Sequence, residues 1–224
     1  MDNKLTASKH YKFLTKEFSD LWITRFRQLH DSAEKNKIYN EYHLKWILNP
    51  DCLKHHVEEF PWIKTIPLFD YTKESLVFFR LNGKTDEDNH FDVHKDPYDA
   101  RANLNIPVYN CTKETKTTWV EPIGDEVAQY EERMGSKIVA GQTYSNHLKS
   151  PYREIDSCSI VDRCVLFRGD VWHRVDVNYT EDKIRVMAKV WNRGIGMDEL
   201  IDIYKDYIDE NYDWRTANDS VPAT

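Results

Sequence analysis

The middle of the chain is a succession of short segments with the composition of β-strands. From Ser75 onward, β-branched, aromatic and other apolar residues form runs that Gly, Pro, Asn and Asp separate. The predicted strands are 75–81, 102–109, 116–120, 137–140, 157–167, 172–177 and 184–191. Because few helices intervene, this pattern favours an antiparallel sandwich or jelly roll over a parallel sheet, whose successive strands need crossover helices.

Helical patterns lie mainly on either side of this β-rich region. Apolar residues near the N-terminus recur at steps of three and four, which is the spacing of an amphipathic helix. The predicted helices are 10–33, 41–58 (interrupted at Asn49-Pro50), 125–134 and 197–210. We therefore predict a single α+β domain over 1–224, with a β core at about 75–192 and the helices packed on one face of it.

Composition excludes several classes of protein. The net charge is −7, and the Lys and Arg residues are interleaved with acidic residues and form no basic run. General nucleic-acid binding is therefore not expected. The four cysteines form no CxxC pair, as expected for reduced thiols. No apolar stretch approaches transmembrane length and the first residues lack the apolar region of a signal peptide, so we expect a cytoplasmic protein without a membrane partner. The sequence leaves the oligomeric state open.

One short segment and one distant histidine offer metal ligands. His90, Asp92, His94 and Asp96 alternate along the chain, so in an extended conformation all four share a face. A His-x-Asp pair supplies one imidazole and one carboxylate, and His173, entering a later strand, could supply the third ligand. Three ligands of this type on one face of Fe(II) leave the remaining positions open for small molecules. The sequence therefore predicts a mononuclear Fe(II) site.

Arg185 points to an anionic ligand near that site. It lies in the otherwise apolar predicted strand 184–191. A buried guanidinium is costly unless it meets an anion, and a dicarboxylate bound at one end by this arginine would supply one.

Together these residues resemble the 2-oxoglutarate/Fe(II)-dependent dioxygenase superfamily, in particular its small hydroxylase-like members. The resemblance covers about 75–192 and rests on the His-x-Asp pair, the LNIP segment at 104–107, the distal histidine and the arginine that follows it. It implies a double-stranded β-helix (jelly roll) that binds Fe(II) and uses 2-oxoglutarate as cosubstrate. The implied iron ligands are His94, Asp96 and His173, and the implied partner of the 2-oxoglutarate C5 carboxylate is Arg185.

Two assignments remain open within this interpretation. The short connector between Asp96 and the LNIP segment favours His94/Asp96 as the metal pair, with His90/Asp92 as the alternative. Asn105 is a candidate for binding the C1 end of 2-oxoglutarate, and it could equally be a structural asparagine of the strand. No catalytic residue beyond the metal ligands is predicted.

The activity that the resemblance implies is that of a 2-oxoglutarate- and O2-dependent Fe(II) oxygenase, a hydroxylase of an unidentified substrate. One alternative is a cupin-like metal-dependent enzyme that does not use 2-oxoglutarate. Another is a non-catalytic jelly-roll interaction module, in which the His/Asp cluster is only a polar loop. Binding of metal and of 2-oxoglutarate would distinguish the three.

Overall fold

The structure is a computed structural model that describes residues 8–42, 45–82, 90–96, 101–126, 128–132, 144–177, 184–191 and 194–218. Its α-helices are α1 (Lys16–Asn36), α2 (Pro50–His56) and α3 (Met197–Tyr204), and short 3₁₀ helices lie at Pro61–Thr65, Lys205–Tyr207 and Trp214–Thr216. In chain order the strands are β1 (Tyr11–Phe13), β2 (Asn40–Tyr42), β3 (Lys45–Leu48), β4 (Leu76–Asn82), β5 (His90–Lys95), β6 (Ala102–Tyr109), β7 (Thr115–Pro122), β8 (Ala128–Glu132), β9 (Tyr144–Leu148), β10 (Tyr152–Cys158), β11 (Val165–Arg168), β12 (His173–Val177) and β13 (Ile184–Trp191).

The described strands form two antiparallel sheets. The larger sheet has the order β1-β11-β6-β13-β4-β3-β2, and the smaller sheet has the order β10-β7-β12-β5-β9-β8. The sheets face each other, since Phe167 of the larger sheet lies 5.0 Å from Trp119 and 5.1 Å from His173 of the smaller one, ring centroid to ring centroid. The space between the sheets is therefore lined by one face of each.

The two faces of the larger sheet differ in chemistry because side chains alternate along each strand. In β13, Val186, Ala188 and Val190 belong to the main apolar core, together with residues of the three α-helices. Arg185 and Lys189 occupy the alternate positions and so point into the space between the sheets. The helices thus cover one face of the larger sheet, and the opposite face is free to carry polar groups.

The first helix is shorter than predicted. Residues 10–33 were expected to be helical, but Tyr11–Phe13 form strand β1, paired with β11 at the edge of the larger sheet. The helix begins at Lys16 and ends after Asn36, where Lys37 adopts a left-handed conformation with a φ of 56°. The C-terminal helix is also shorter than predicted, because it ends at Tyr204, where a 3₁₀ turn follows.

The predicted helix over 41–58 is wrong in its first half. Residues 45–48 form strand β3, in which Trp46 and Leu48 alternate with less buried neighbours. Four residues fit either a helical or a strand pattern, and pairing with β4 decides between them. The helix starts at Pro50, with the Asn49 side chain accepting a hydrogen bond from the backbone N–H of Cys52.

Two other predictions in the β region are wrong in detail. The segment 125–134 was expected to be helical, but Ala128–Glu132 form strand β8, paired with β9. The predicted strand 157–167 is two strands, β10 and β11, which belong to different sheets. The predicted strand 137–140 lies outside the described residues. Cross-strand pairing thus overrides the local helical pattern at 128–132.

As for membranes, none of the helices within the described residues is both long enough and apolar enough to cross a bilayer.

We predict that the α1 face stabilises the larger sheet. Phe26 is fully buried and contacts the rings of Trp62 and Phe78. Phe26→Ala should lower the free energy of unfolding by about 3–5 kcal/mol because it leaves a cavity in the core. Leu21, on the same helix but 49% exposed, is the matched control, and Leu21→Ala should change stability by no more than about 0.5 kcal/mol. Chemical denaturation measures both, and equal effects would contradict this packing.

Candidate metal centre

Strand pairing in the smaller sheet brings two histidines together. His94 lies near the end of β5 and His173 begins β12, and the two residues are direct partners in the antiparallel register. Their ring centroids are 4.5 Å apart. Trp119 of β7 pairs with His173 on its other side, so the imidazole of His173 lies between two ring-bearing neighbours. The register thus fixes both histidines on the same face.

Asp96 completes a group of three metal-binding side chains. It follows β5 directly, two residues after His94. One potential ligand atom from each of His94, Asp96 and His173 lies within 4.8 Å of the other two. Within the described part of the chain, these three form a cluster with the spacing needed to hold a metal ion.

His173 is held in the form that a metal ion requires. The side chain is 2% exposed, and its Nδ1 lies 2.8 Å from the carbonyl oxygen of Val171, to which it donates a hydrogen bond. That bond leaves Nε2 with its lone pair toward the cluster. Burial, reinforced by the neighbouring His94, lowers the pKa of His173 to about 3. The imidazole is therefore neutral at physiological pH, as metal coordination demands.

Asp96 is held ionised and oriented by its neighbours. Its Oδ2 accepts hydrogen bonds from Lys189 Nζ at 2.7 Å and from Asn103 Nδ2 at 3.2 Å, and its backbone N–H donates to the Gly169 carbonyl at 2.8 Å. Burial would raise the pKa of the carboxyl, but Lys189, with a smaller effect from His173, outweighs it and the pKa falls to about 2. With Oδ2 occupied, Oδ1 is the oxygen that Asp96 can offer to a metal.

The donor set fits a divalent ion of the Fe(II) type. It consists of two imidazole nitrogens and one carboxylate oxygen, held on two paired strands and at the residue that follows one of them. This combination is the facial arrangement that suits Fe(II) with open coordination positions. A bound ion would be held by His94, Asp96 and His173.

Arg185 is a buried cation that lies in the same space between the sheets. It is 3% exposed, its Nη2 lies 3.6 Å from the Met187 sulfur, and it lies beside the Cys111 thiol. Its Nε is buried without a hydrogen-bond partner, and none of the described carboxylates pairs with it. Within the part of the chain that the structure describes, this guanidinium lies beside two sulfur atoms and meets no anion, whereas a buried guanidinium normally pairs with one.

Asn105 also presents an unused polar atom to this space. It lies on β6 directly opposite Lys189 in the register and is 2% exposed. Its Oδ1 is buried and has no hydrogen-bond partner among the described groups. Among the described groups, Asn105 Oδ1 and Arg185 Nε share this space without a partner, so both are available to a polar ligand that binds there.

The structure thus brings together the three residues that the resemblance implies as ligands, and it places Arg185 and Asn105 on the facing sheet. His90 and Asp92, the alternative pair, belong to β5, but their side chains lie outside the described ones. Sequence reasoning missed Lys189 and Asn103, both of which bind Asp96. Lys189 had a detectable signal, because it lies four residues after Arg185 in the same apolar strand and therefore on the same face.

Comparison with known proteins adds little to this geometry. The sequence matches no protein-family model, and no curated protein matches it either. Among solved structures, the chain resembles the epimerase SnoN, determined in complex with Fe3+, alpha-ketoglutarate and nogalamycin RO. The two are 10% identical, the match covers 80% of this chain and 77% of that one, and the TM-score is 0.43.

We predict that the purified protein binds one divalent ion per chain at this cluster. His94→Ala should weaken binding of Co(II) by at least about 100-fold, because loss of a ligand exceeds the effect of losing its supporting neighbours. His55→Ala is the matched control, since His55 is an exposed histidine of α2, and it should leave the affinity unchanged. Titration followed by the visible absorption of Co(II) measures both. Equal affinities in the two variants would place the metal elsewhere.

Proposed function

We propose that this protein is a 2-oxoglutarate- and O2-dependent Fe(II) oxygenase that hydroxylates a substrate. The observation that carries the proposal is the combination of two features facing one space between the sheets. The first is the cluster of His94, Asp96 and His173, and the second is the buried Arg185, which pairs with no described carboxylate. A metal site alone would suit many enzymes, and the additional buried cation is what favours a dicarboxylate cosubstrate.

The strand order supports a double-stranded β-helix as the fold, within a single domain over 1–224. Eight strands form the centre of the two sheets, and in chain order they are β4, β5, β6, β7, β10, β11, β12 and β13. If these eight strands are numbered 1 to 8 in chain order, neighbouring strands in the larger sheet have the order 1-8-3-6. Neighbouring strands in the smaller sheet have the order 2-7-4-5. Repeated crossing of the chain between two antiparallel sheets is typical of a jelly roll.

The placement of the two features supports a ligand with two anionic ends. Lys189, which contacts Asp96, and Arg185 lie four residues apart on one face of β13, so their Cα atoms are about 13 Å apart. One carboxylate of such a ligand would bind at the metal centre and the other would pair with Arg185. A five-carbon dicarboxylate that extends from the metal toward Arg185 would bind to both the metal and the guanidinium. Asn105 would then bind the end of the ligand that lies at the metal.

The protein's own residues would provide binding, orientation and exclusion of water. Fe(II), together with 2-oxoglutarate and O2, supplies the oxidising chemistry that hydroxylates a C–H bond while the cosubstrate is converted to succinate and CO2. His173 and Asp96 keep their coordinating atoms in place through the Val171 and Lys189 hydrogen bonds. Arg185 fixes the far carboxylate, so the cosubstrate meets the metal in one orientation.

We predict that Arg185→Gln weakens 2-oxoglutarate binding by at least about 30-fold, because removing one member of a buried charge pair costs about 2–5 kcal/mol. Calorimetry with the Co(II)-loaded protein measures the affinity. The control is Arg153→Gln, an exposed arginine that pairs with Glu121 on the outside of β10, and it should bind the cosubstrate as the wild type does. Both variants should retain the metal affinity of the wild type.

Three results would contradict the proposal in different ways. Unchanged 2-oxoglutarate binding in Arg185→Gln would show that Arg185 does not bind the cosubstrate. A wild-type protein that binds metal but not 2-oxoglutarate would favour a cupin-like enzyme. A protein that binds neither would favour a non-catalytic jelly-roll module. With Fe(II) and labelled 2-oxoglutarate, release of labelled CO2 tests the oxygenase reaction itself.

A further inference from the structure

Lys189 places a positive charge directly beside the candidate metal centre. Its Nζ is 2.7 Å from Asp96 Oδ2, and the two side chains are only 10% and 12% exposed. The ring centroids of Phe79 and Phe167 lie 5.9 and 5.7 Å from the ammonium. No other described carboxylate forms an ion pair with it. The charge is therefore enclosed between the sheets, where solvent screens it poorly.

This ammonium changes the charge of the ligand set. Imidazoles that coordinate a metal are neutral, so the two histidines and Asp96 would together bring a charge of −1, and Lys189 brings the total to zero. A divalent ion bound there would have its entire charge of +2 uncompensated in a buried site. Uncompensated buried charge is costly, and an anion bound directly to the metal would reduce that cost.

We propose, building on the function proposed above, that Lys189 makes the metal and a carboxylate-bearing ligand bind cooperatively, so that an anionic ligand at the metal increases the metal affinity of the centre. The ammonium repels the bare ion and attracts the anion that joins it. The centre therefore selects carboxylate ligands over neutral ones at the metal itself. Lys189 acts through Asp96 and the local charge, so its role is one of positioning and selectivity.

A purely orienting role for Lys189 predicts different behaviour from this electrostatic one. Asp96 Oδ2 is held by Lys189 and by Asn103, and such hydrogen bonds orient a carboxylate whether or not the donor is charged. Three substitutions separate the two roles. Lys189→Arg keeps charge and hydrogen bond, Lys189→Gln keeps a hydrogen-bond donor without the charge, and Lys189→Met removes both.

The experiment measures Co(II) affinity without added ligand and with 2-oxoglutarate, oxalate or imidazole. Oxalate binds a metal through both of its carboxylates and has no further carboxylate for Arg185, and imidazole is a neutral control. The coupling factor is the ratio of the Co(II) dissociation constants without and with the ligand. For both anions, wild type and Lys189→Arg should give a coupling factor at least about tenfold larger than Lys189→Gln and Lys189→Met, within the usual range of such couplings. Imidazole should give similar factors in all four proteins.

The outcomes distinguish this inference from the proposed function. If Lys189→Gln couples oxalate and Co(II) as strongly as the wild type, the charge plays no part and the inference is wrong. If oxalate coupling depends on the charge but 2-oxoglutarate does not bind, the inference stands for carboxylates and the proposed cosubstrate is wrong. If Co(II) binds only to the neutral variants, the ammonium occupies the metal's position, and both proposals are wrong. Thermal melting of each metal-free variant checks that it is folded. If the neutral variants do not fold, the wild type decides the question, because a coupling factor for oxalate no larger than that for imidazole would overturn the inference.

Discussion

The ion pair between Lys189 and Asp96 connects the two sheets at the candidate metal centre. Lys189 belongs to β13 of the larger sheet, and Asp96 follows β5 of the smaller one. A buried ion pair of this kind contributes little to the stability of the fold, because the cost of removing both charges from water offsets their attraction. Removing one partner is far more costly, since the other charge is then buried alone. The pair therefore specifies how the sheets and the ligands are arranged more than it stabilises the fold.

Alternation along the central strands explains how an apolar core and a polar site share the same sheet. On β13, Val186, Ala188 and Val190 pack under the helices, and Arg185 and Lys189 take the positions between them. On β6 the same division separates the core residues from Asn103 and Asn105. A site carried by paired strands is held more rigidly than one carried by loops, as a metal centre requires.

Much of this arrangement could be predicted from the sequence, and the failures have physical causes. The strands at 102–109 and 184–191 were predicted with the bounds that the structure has, because an apolar run with clear turn residues at its ends has few alternatives. The His-x-Asp alternation and His173 suggested a metal site, but the choice of His94, Asp96 and His173 as its ligands depended on a family resemblance, since nothing local links residue 173 to residues 94 and 96. The strands β3 and β8 were missed because their pairing partners, β4 and β9, decide their conformation. Asn103 was missed because its role depends on where Asp96 lies in space.

The distance along the chain between the metal ligands has a consequence for how the molecule folds. Residues 94 and 96 meet residue 173 only after β5 has paired with β12, and the six strands β6 to β11 lie between these two in sequence. Closing so long a loop is slow, because its entropic cost precedes any stabilising contact. An unfolded chain consequently offers no assembled centre, and an ion that binds only the assembled centre would stabilise the native state by mass action. Metal supply in the cell would in this way influence how long each newly made chain survives.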